Sequence, residues 1–156
     1  MSETVKDAGS RPEVTRMVTR GVMRLFRTQG EACLDELTLK TGRRVDVMAL
    51  DRKGRFTAIE VKSSREDFRV DEKWQDYLPF CDLFYFAVSP EFPLELLPED
   101  VGLIIADAYG AEVIRPATPG EMNPSRRKAL TLRFARKSAD RLMRELDPGL
   151  KALLRE

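Results

Sequence analysis

From Pro12 onward, Val14, Met17, Val18, Val22, Leu25 and Phe26 recur at helical spacing, with Arg16, Arg20, Arg24 and Arg27 on the opposite side. This predicts an amphipathic first helix that stops at Gly30. The period then changes. Residues 32 to 39, 44 to 50 and 56 to 62 read as strands, with Val45, Val47, Leu50, Ile59 and Val61 supplying β-favouring side chains. Asp51-Arg-Lys-Gly54 is a hairpin turn between the second and third. Ser64 and Asp67 open the next helix in capping-box fashion, Val70, Trp74, Tyr77 and Leu78 form its core stripe, and Pro79 ends it. Leu83 to Val88 is apolar on both faces, as in a central strand. Beyond a proline-bracketed loop holding a short turn at Leu94 to Leu97, residues 102 to 107 and 111 to 115 form a second hairpin across Tyr109-Gly110. A long C-terminal helix follows from about Ser125, with Leu130, Phe134, Leu142 and Leu146 as its apolar positions. The predicted fold class is α/β: a mixed central sheet with flanking helices, in the order helix, three-strand meander, helix, strand, hairpin, helix.

Two of these strands carry charge where charge is costly. Glu60 and Lys62 share one face of the third strand while Ile59 and Val61 take the other, and pairing across the hairpin brings Asp46 to the charged face. The chain holds three acid-x-lysine triplets, so the pattern needs a control. Asp51-Arg-Lys53 lies in the turn and Asp71-Glu-Lys73 in a charged helical segment; only Glu60-Val-Lys62 is embedded in an apolar strand. Alone it reads as a half-exposed strand bearing a surface ion pair. Asp46 on the neighbouring strand shifts the reading toward a site, because buried charges are paired or bind something.

Two carboxylates converging on one side of a sheet repel each other unless a divalent cation lies between them. The chain has no histidine, and Cys33 and Cys81 are far apart, so the available donors are oxygens, which suit Mg²⁺ or Mn²⁺ rather than zinc. Such an ion polarises a phosphoryl oxygen and acidifies bound water, both useful in phosphodiester hydrolysis. Lys62 would orient the water or stabilise the pentavalent transition state. The missing histidine also excludes Ser-His-Asp and Cys-His catalysis, and the lack of a Walker-type loop leaves nucleotide hydrolysis unsupported.

Asp46 followed by Glu60-x-Lys62, with a helix before and a helix and strand after, resembles the PD-(D/E)XK nuclease superfamily, with Val45 in place of the proline of its name. A longer string is similar to the MmcB-type proteins, a bacterial family to which a DNA-repair endonuclease activity is ascribed. That string comprises Gly42-Arg-Arg-Val-Asp46, Glu60-Val-Lys-Ser-Ser64, Asp67-Phe68, Lys73-Trp74, Tyr77, Cys81-Asp82, Phe84-Tyr-Phe-Ala-Val88 and the segment from Gly102 to Gly110. The resemblance implies a restriction-endonuclease-like core and a metal-dependent endonuclease acting on DNA in repair. It places Asp46 and Glu60 on Mg²⁺ or Mn²⁺ and Lys62 in catalysis. It also implies a further acid from the first helix or strand, for which Glu13, Glu31 and Glu36 are candidates and Glu36 is preferred. Lys73 and Gln75 are candidates for positioning water or phosphate around the ion, whereas Trp74 and Tyr77 are read as core. The alternatives are a nuclease-fold protein that binds DNA or a repair complex without cutting, and a domain whose charged strand is a paired surface.

A chain of 156 residues, 42% hydrophobic, suits one packed core. The expectation is a single nuclease-like domain over 1–156 with its first ten residues mobile. Two cysteines without a spacing motif fit a reducing cytoplasm, and the lack of an apolar run near ~20 residues argues against a membrane partner. The expected location is the bacterial cytoplasm, at the nucleoid when bound to DNA.

The net charge of +1 hides an asymmetry: residues 66 to 112 carry twelve acids and two bases, and residues 124 to 156 carry ten bases and four acids. DNA is bound chiefly through its phosphates. Arg43, Arg44, Arg65 and Arg69 near the acidic pair, and Arg126, Arg127 and Lys128 in the C-terminal helix, are therefore the candidate DNA contacts, with Arg133, Arg136 and Lys137 extending the groove. The same arginines read equally as the solvent face of ordinary helices. Other repair proteins are expected partners beside DNA, and a homodimer is an open alternative.

Overall fold

In the computed structural model, which describes residues 11–70 and 73–153, the first apolar stripe forms α1 (Arg11–Thr28). Residues 1–10, expected to be mobile, lie outside the described residues, as do the side chains of Asp67, Arg69 and Val70 and with them the expected capping contact. Val18, Val22 and Phe26 of α1 pack on one face of the sheet against Val47, Ile59, Val61 and Ile104. The burial of these side chains is the chief stabilisation of the helix.

Among the described residues the sheet has six strands in sequence order: β1 (Ala32–Thr38), β2 (Arg44–Leu50), β3 (Phe56–Lys62), β4 (Leu83–Val88), β5 (Gly102–Ala106) and β6 (Ala111–Arg115). β1, β2 and β3 form the antiparallel meander, β4 runs parallel to β3 and β5, and β6 returns antiparallel. β4 is central, as its two apolar faces require. Every residue of β3 is buried, which removes the reading of its charged face as a half-exposed surface.

The second face is covered by α2 (Arg65–Val70), a 3-10 turn over Trp74–Phe80, and α3 (Pro124–Leu146). The single helix expected from Ser64 to Leu78 is thus two pieces, and Pro79 lies inside the second rather than ending it. A period of three puts Trp74, Tyr77 and Phe80 on one side, so Leu78 turns outward. Trp74 and Tyr77 both stack on Phe84, as core residues do. α3 begins where Asn123 Oδ1 accepts from the N–H groups of Ser125 and Arg126, and it buries Leu130 and Phe134. Leu142 and Leu146, expected on the apolar side, are exposed at 60% and 77%: the core cluster ends at Phe134, and beside Leu142 the polar Arg141 reaches β1 instead.

α1 approaches the β5–β6 hairpin through Gly21, where a Cβ would collide with the carbonyl oxygens of Asp107 and Gly110. Gly21→Ala should therefore lower stability by about 1–3 kcal/mol, measured by urea denaturation, because the obstacles are backbone atoms that cannot rotate away.

Candidate active site

The chemistry-bearing residues converge where the sheet forks. The β2–β3 ladder runs from Leu50 opposite Phe56 to Val47 opposite Ile59 and stops, whereas β1–β2 continues to Thr38 opposite Arg44 and β3–β4 to Lys62 opposite Val88. An irregularity in β1 lies at the same level. Glu36 lies between the pairs Asp35–Val47 and Leu37–Val45, across from Asp46, and has φ +48°. This left-handed residue breaks the alternation: Val47 packs on the α1 side, but Val45 joins Leu37 and Leu39 in the cluster on the other side. β1 and β2 roll away together while β3 stays paired to β4.

At the fork, side chains take over the work of the ladder. The Val61 N–H donates to Asp46 Oδ2 at 2.8 Å, and the Asp46 N–H donates to Glu60 Oε1 at 3.3 Å. Each carboxylate thus bridges the parted strands. Glu60 and Lys62 are 5% and 3% exposed, and Lys62 Nζ lies 3.8 Å from Glu60 Oε2. Such burial is tolerable only for charges with partners. Tyr77 covers this region from the 3-10 turn, its hydroxyl donating to the Arg44 carbonyl at 3.0 Å. Burial, and then the negative charge of Glu60, push its phenol up to about 12, so it stays a donor at every physiological pH.

Asp46, Glu60, Lys62 and Glu36 all line one cavity of about 600 Å³, together with Asp35, Ser63 and the α1 residues Thr15, Arg16 and Thr19. The α1 contribution is not evident in the hydrophobic pattern, which assigns Arg16 to the solvent side. Its signal is the recurrence of Pro12, Thr15, Arg16 and Thr19 at helical spacing on one polar face. Glu31 lies at the far end of β1, where burial and then the charge of Asp51 raise its carboxyl above the ordinary range. Glu36 borders the cavity but is exposed, with Arg44 Nη2 at 3.9 Å from its Oε1. Lys73 and Gln75 are exposed and do not line the cavity.

The donor set available to a cation is two carboxylates. Among the described residues no group of three or more acidic, cysteine or histidine side chains is arranged around a common point. Two carboxylates beside a cavity fit Mg²⁺ or Mn²⁺, which keep several waters and accept phosphate oxygens. The residue at the fork also yields a stability test: Glu36→Gly should gain about 1 kcal/mol in urea denaturation, since glycine adopts φ +48° without the Cβ clash and the exposed pair with Arg44 contributes little.

The predicted DNA contacts divide. Arg43 lies over the Tyr77 ring, 4.7 Å from its centroid, and pairs with Asp76 at 3.3 Å; Arg65 reaches Glu95 at 3.9 Å. Arg126 and Lys128 are exposed, and the side chain of Arg69 lies outside the described residues. Arg127 is already engaged within the fold. Its guanidinium is held by Asp82 at 2.5 and 2.8 Å and by the Gly54 carbonyl at 2.8 Å, which ties α3 to the starts of β3 and β4.

A family model described as DNA repair protein MmcB-like matches residues 2–149. A solved structure, described as SPO1766 protein of unknown function from Silicibacter pomeroyi, is 47% identical, with a TM-score of 0.85 over 87% of this chain and 93% of that one. No curated protein matches the chain.

Proposed function

This chain belongs to the MmcB-like family of DNA repair proteins, and we propose that its part in repair is metal-dependent endonucleolytic hydrolysis of DNA phosphodiester bonds. The observation that carries the reading is the convergence of Asp46, Glu60 and Lys62 on one cavity at the fork of the sheet, with both carboxylates fixed by cross-strand hydrogen bonds. Rigid placement of this kind is what an in-line displacement requires of its donors. Asp46 and Glu60 would hold Mg²⁺ or Mn²⁺, which when bound supplies Lewis-acid polarisation of the phosphoryl oxygen and a more acidic water. Lys62, held beside Glu60, orients the attacking water and offsets negative charge as it builds on the phosphorane oxygens. Arg16, Thr15 and Thr19 border the cavity where the DNA backbone would pass. The partners of this reading are DNA and other repair proteins, and its place of action is the nucleoid. Among the described residues no helix is long and apolar enough to cross a membrane.

A second reading, a repair protein that binds DNA without cutting, is favoured by one observation: among the described residues no third acid joins Asp46 and Glu60 around a common point, and both already accept backbone N–H bonds. A panel of duplex, flap, branched and single-stranded DNA, incubated with Mg²⁺ and with Mn²⁺, separates the two. Cleavage of at least one substrate that EDTA abolishes is expected; binding without cleavage under both metals establishes the second reading instead.

A further inference from the structure

We propose that the groove between α3 and the β1–β2 turn binds a single strand of DNA, so that the substrate is DNA with a single-stranded arm; the substrate part of this inference rests on the nuclease reading of the adjoining cavity. The groove has a volume of about 890 Å³. Lys40 of the turn and Arg126, Arg133, Arg136 and Lys137 of α3 line it, with Asp140 as the one acid among the described residues of its lining. From residue 126 to 137 the cations follow one face of the helix, a row about 16 Å long. The formal charge of the whole chain is only +1, so this is a local concentration of positive charge and not a general property of the surface.

The floor decides between one strand and two. The exposed Ala129 and narrow edges of the core residues Phe80 and Leu130 lie among the cations, and the exposed Arg126 guanidinium sits 5.2 Å from the centroid of the Phe80 ring. A duplex keeps its bases stacked inside and presents phosphates to such a surface. A single strand presents phosphates and the flat faces of its bases, which stack on guanidinium planes and aromatic rings without regard to sequence. An apolar floor beneath a cationic rim therefore favours the single strand.

The groove and the acidic cavity share a wall. Arg133 donates to the Thr38 carbonyl at 3.4 Å, and Arg141 to the carbonyls of Asp35 at 2.7 Å and Glu36 at 3.2 Å, which ties α3 along β1. Asp35 and Glu36 border the cavity, and Lys40 and Thr41 border the groove. An arm lying in the groove would bring the phosphate at its root toward Asp46 and Glu60.

Fluorescence anisotropy with a labelled oligothymidylate and a duplex of equal length, in EDTA, tests the groove. The parent is expected to bind the single strand about tenfold more tightly than the duplex. Arg136→Glu combined with Lys137→Glu should weaken single-strand binding about tenfold or more, with an unchanged unfolding temperature. Arg126→Lys keeps the charge and loses the plane, and should weaken single-strand binding by about threefold or more while duplex binding stays within about twofold. Equal affinity for the two DNAs, parental binding by the charge-reversed protein, or no binding by the parent overturns the proposal. Because the readout needs no divalent ion, a failure to cleave would count against the nuclease reading alone.

Discussion

Asp46→Asn and Glu60→Gln should each lower metal-dependent DNA cleavage by at least about 100-fold without abolishing DNA binding. Both substitutions keep the shape of the side chain and a carbonyl oxygen that can accept from Val61 or Asp46, so the bridge across the fork survives. What they remove is one of two negative charges available to a cation. The variants also differ from each other. Glu60→Gln leaves the buried Lys62 without the carboxylate 3.8 Å away, so it should be less stable in urea than Asp46→Asn, whose side chain is only half-buried. Isothermal titration with Mn²⁺ gives a readout independent of activity: the parent should bind the ion and both variants should bind it at least about tenfold more weakly. Cleavage by either variant at the parental rate would assign the activity to a contaminant.

Arg127→Met should cost about 3 kcal/mol, since it leaves the Asp82 carboxylate, 11% exposed, without its charge partner. Asp82 is a junction: its carboxylate accepts from the Phe56 N–H at 2.7 Å, its N–H donates to the Phe56 carbonyl at 2.8 Å, and its carbonyl accepts from Gly120 at 2.7 Å. The loss should lower the unfolding temperature by roughly 6–12 °C. The pH dependence has a definite sign. The hydrogen bond from Arg127 holds the Asp82 carboxyl below its ordinary value of 3.8, so the stabilisation is fully present above that value and is lost as pH falls through the lower folded-state pKa. Urea midpoints of parent and variant should differ by a constant amount from pH 5 to pH 8 and converge in stronger acid. A gap that persists unchanged to pH 2 would show that Arg127 acts by packing and not by charge.

Much of this molecule is legible in the linear pattern. Period-2 alternation in β2 and β3 and the doubly apolar β4 predict the meander and the central strand, because burial on one face or two is imposed residue by residue. The same alternation puts Glu60 and Lys62 together. The helix after β3 is misread because Val70, Trp74, Tyr77 and Leu78 satisfy a 3.6 period, while the aromatic rings of Phe84 and Phe86 select the tighter turn that seats Trp74 and Tyr77. α3 is misread at its end, since an apolar stripe says nothing about how far the opposing core extends. Basic residues in α3 all read alike in the chain; only the position of Asp82 separates the inward Arg127 from the outward Arg126 and Lys128.

Side-chain type at fixed local spacing dictates the six strands and their order, the first helix, and an acid-lysine pair set beside a second acid. Folding fixes the rest: β3 is buried throughout and the sheet parts at Asp46. It also decides that Thr15, Arg16 and Thr19 of α1 close the cavity. The fork joins a left-handed residue in β1 with one backbone N–H and one carboxylate from each of β2 and β3, and no local pattern encodes groups that meet only after the chain has folded.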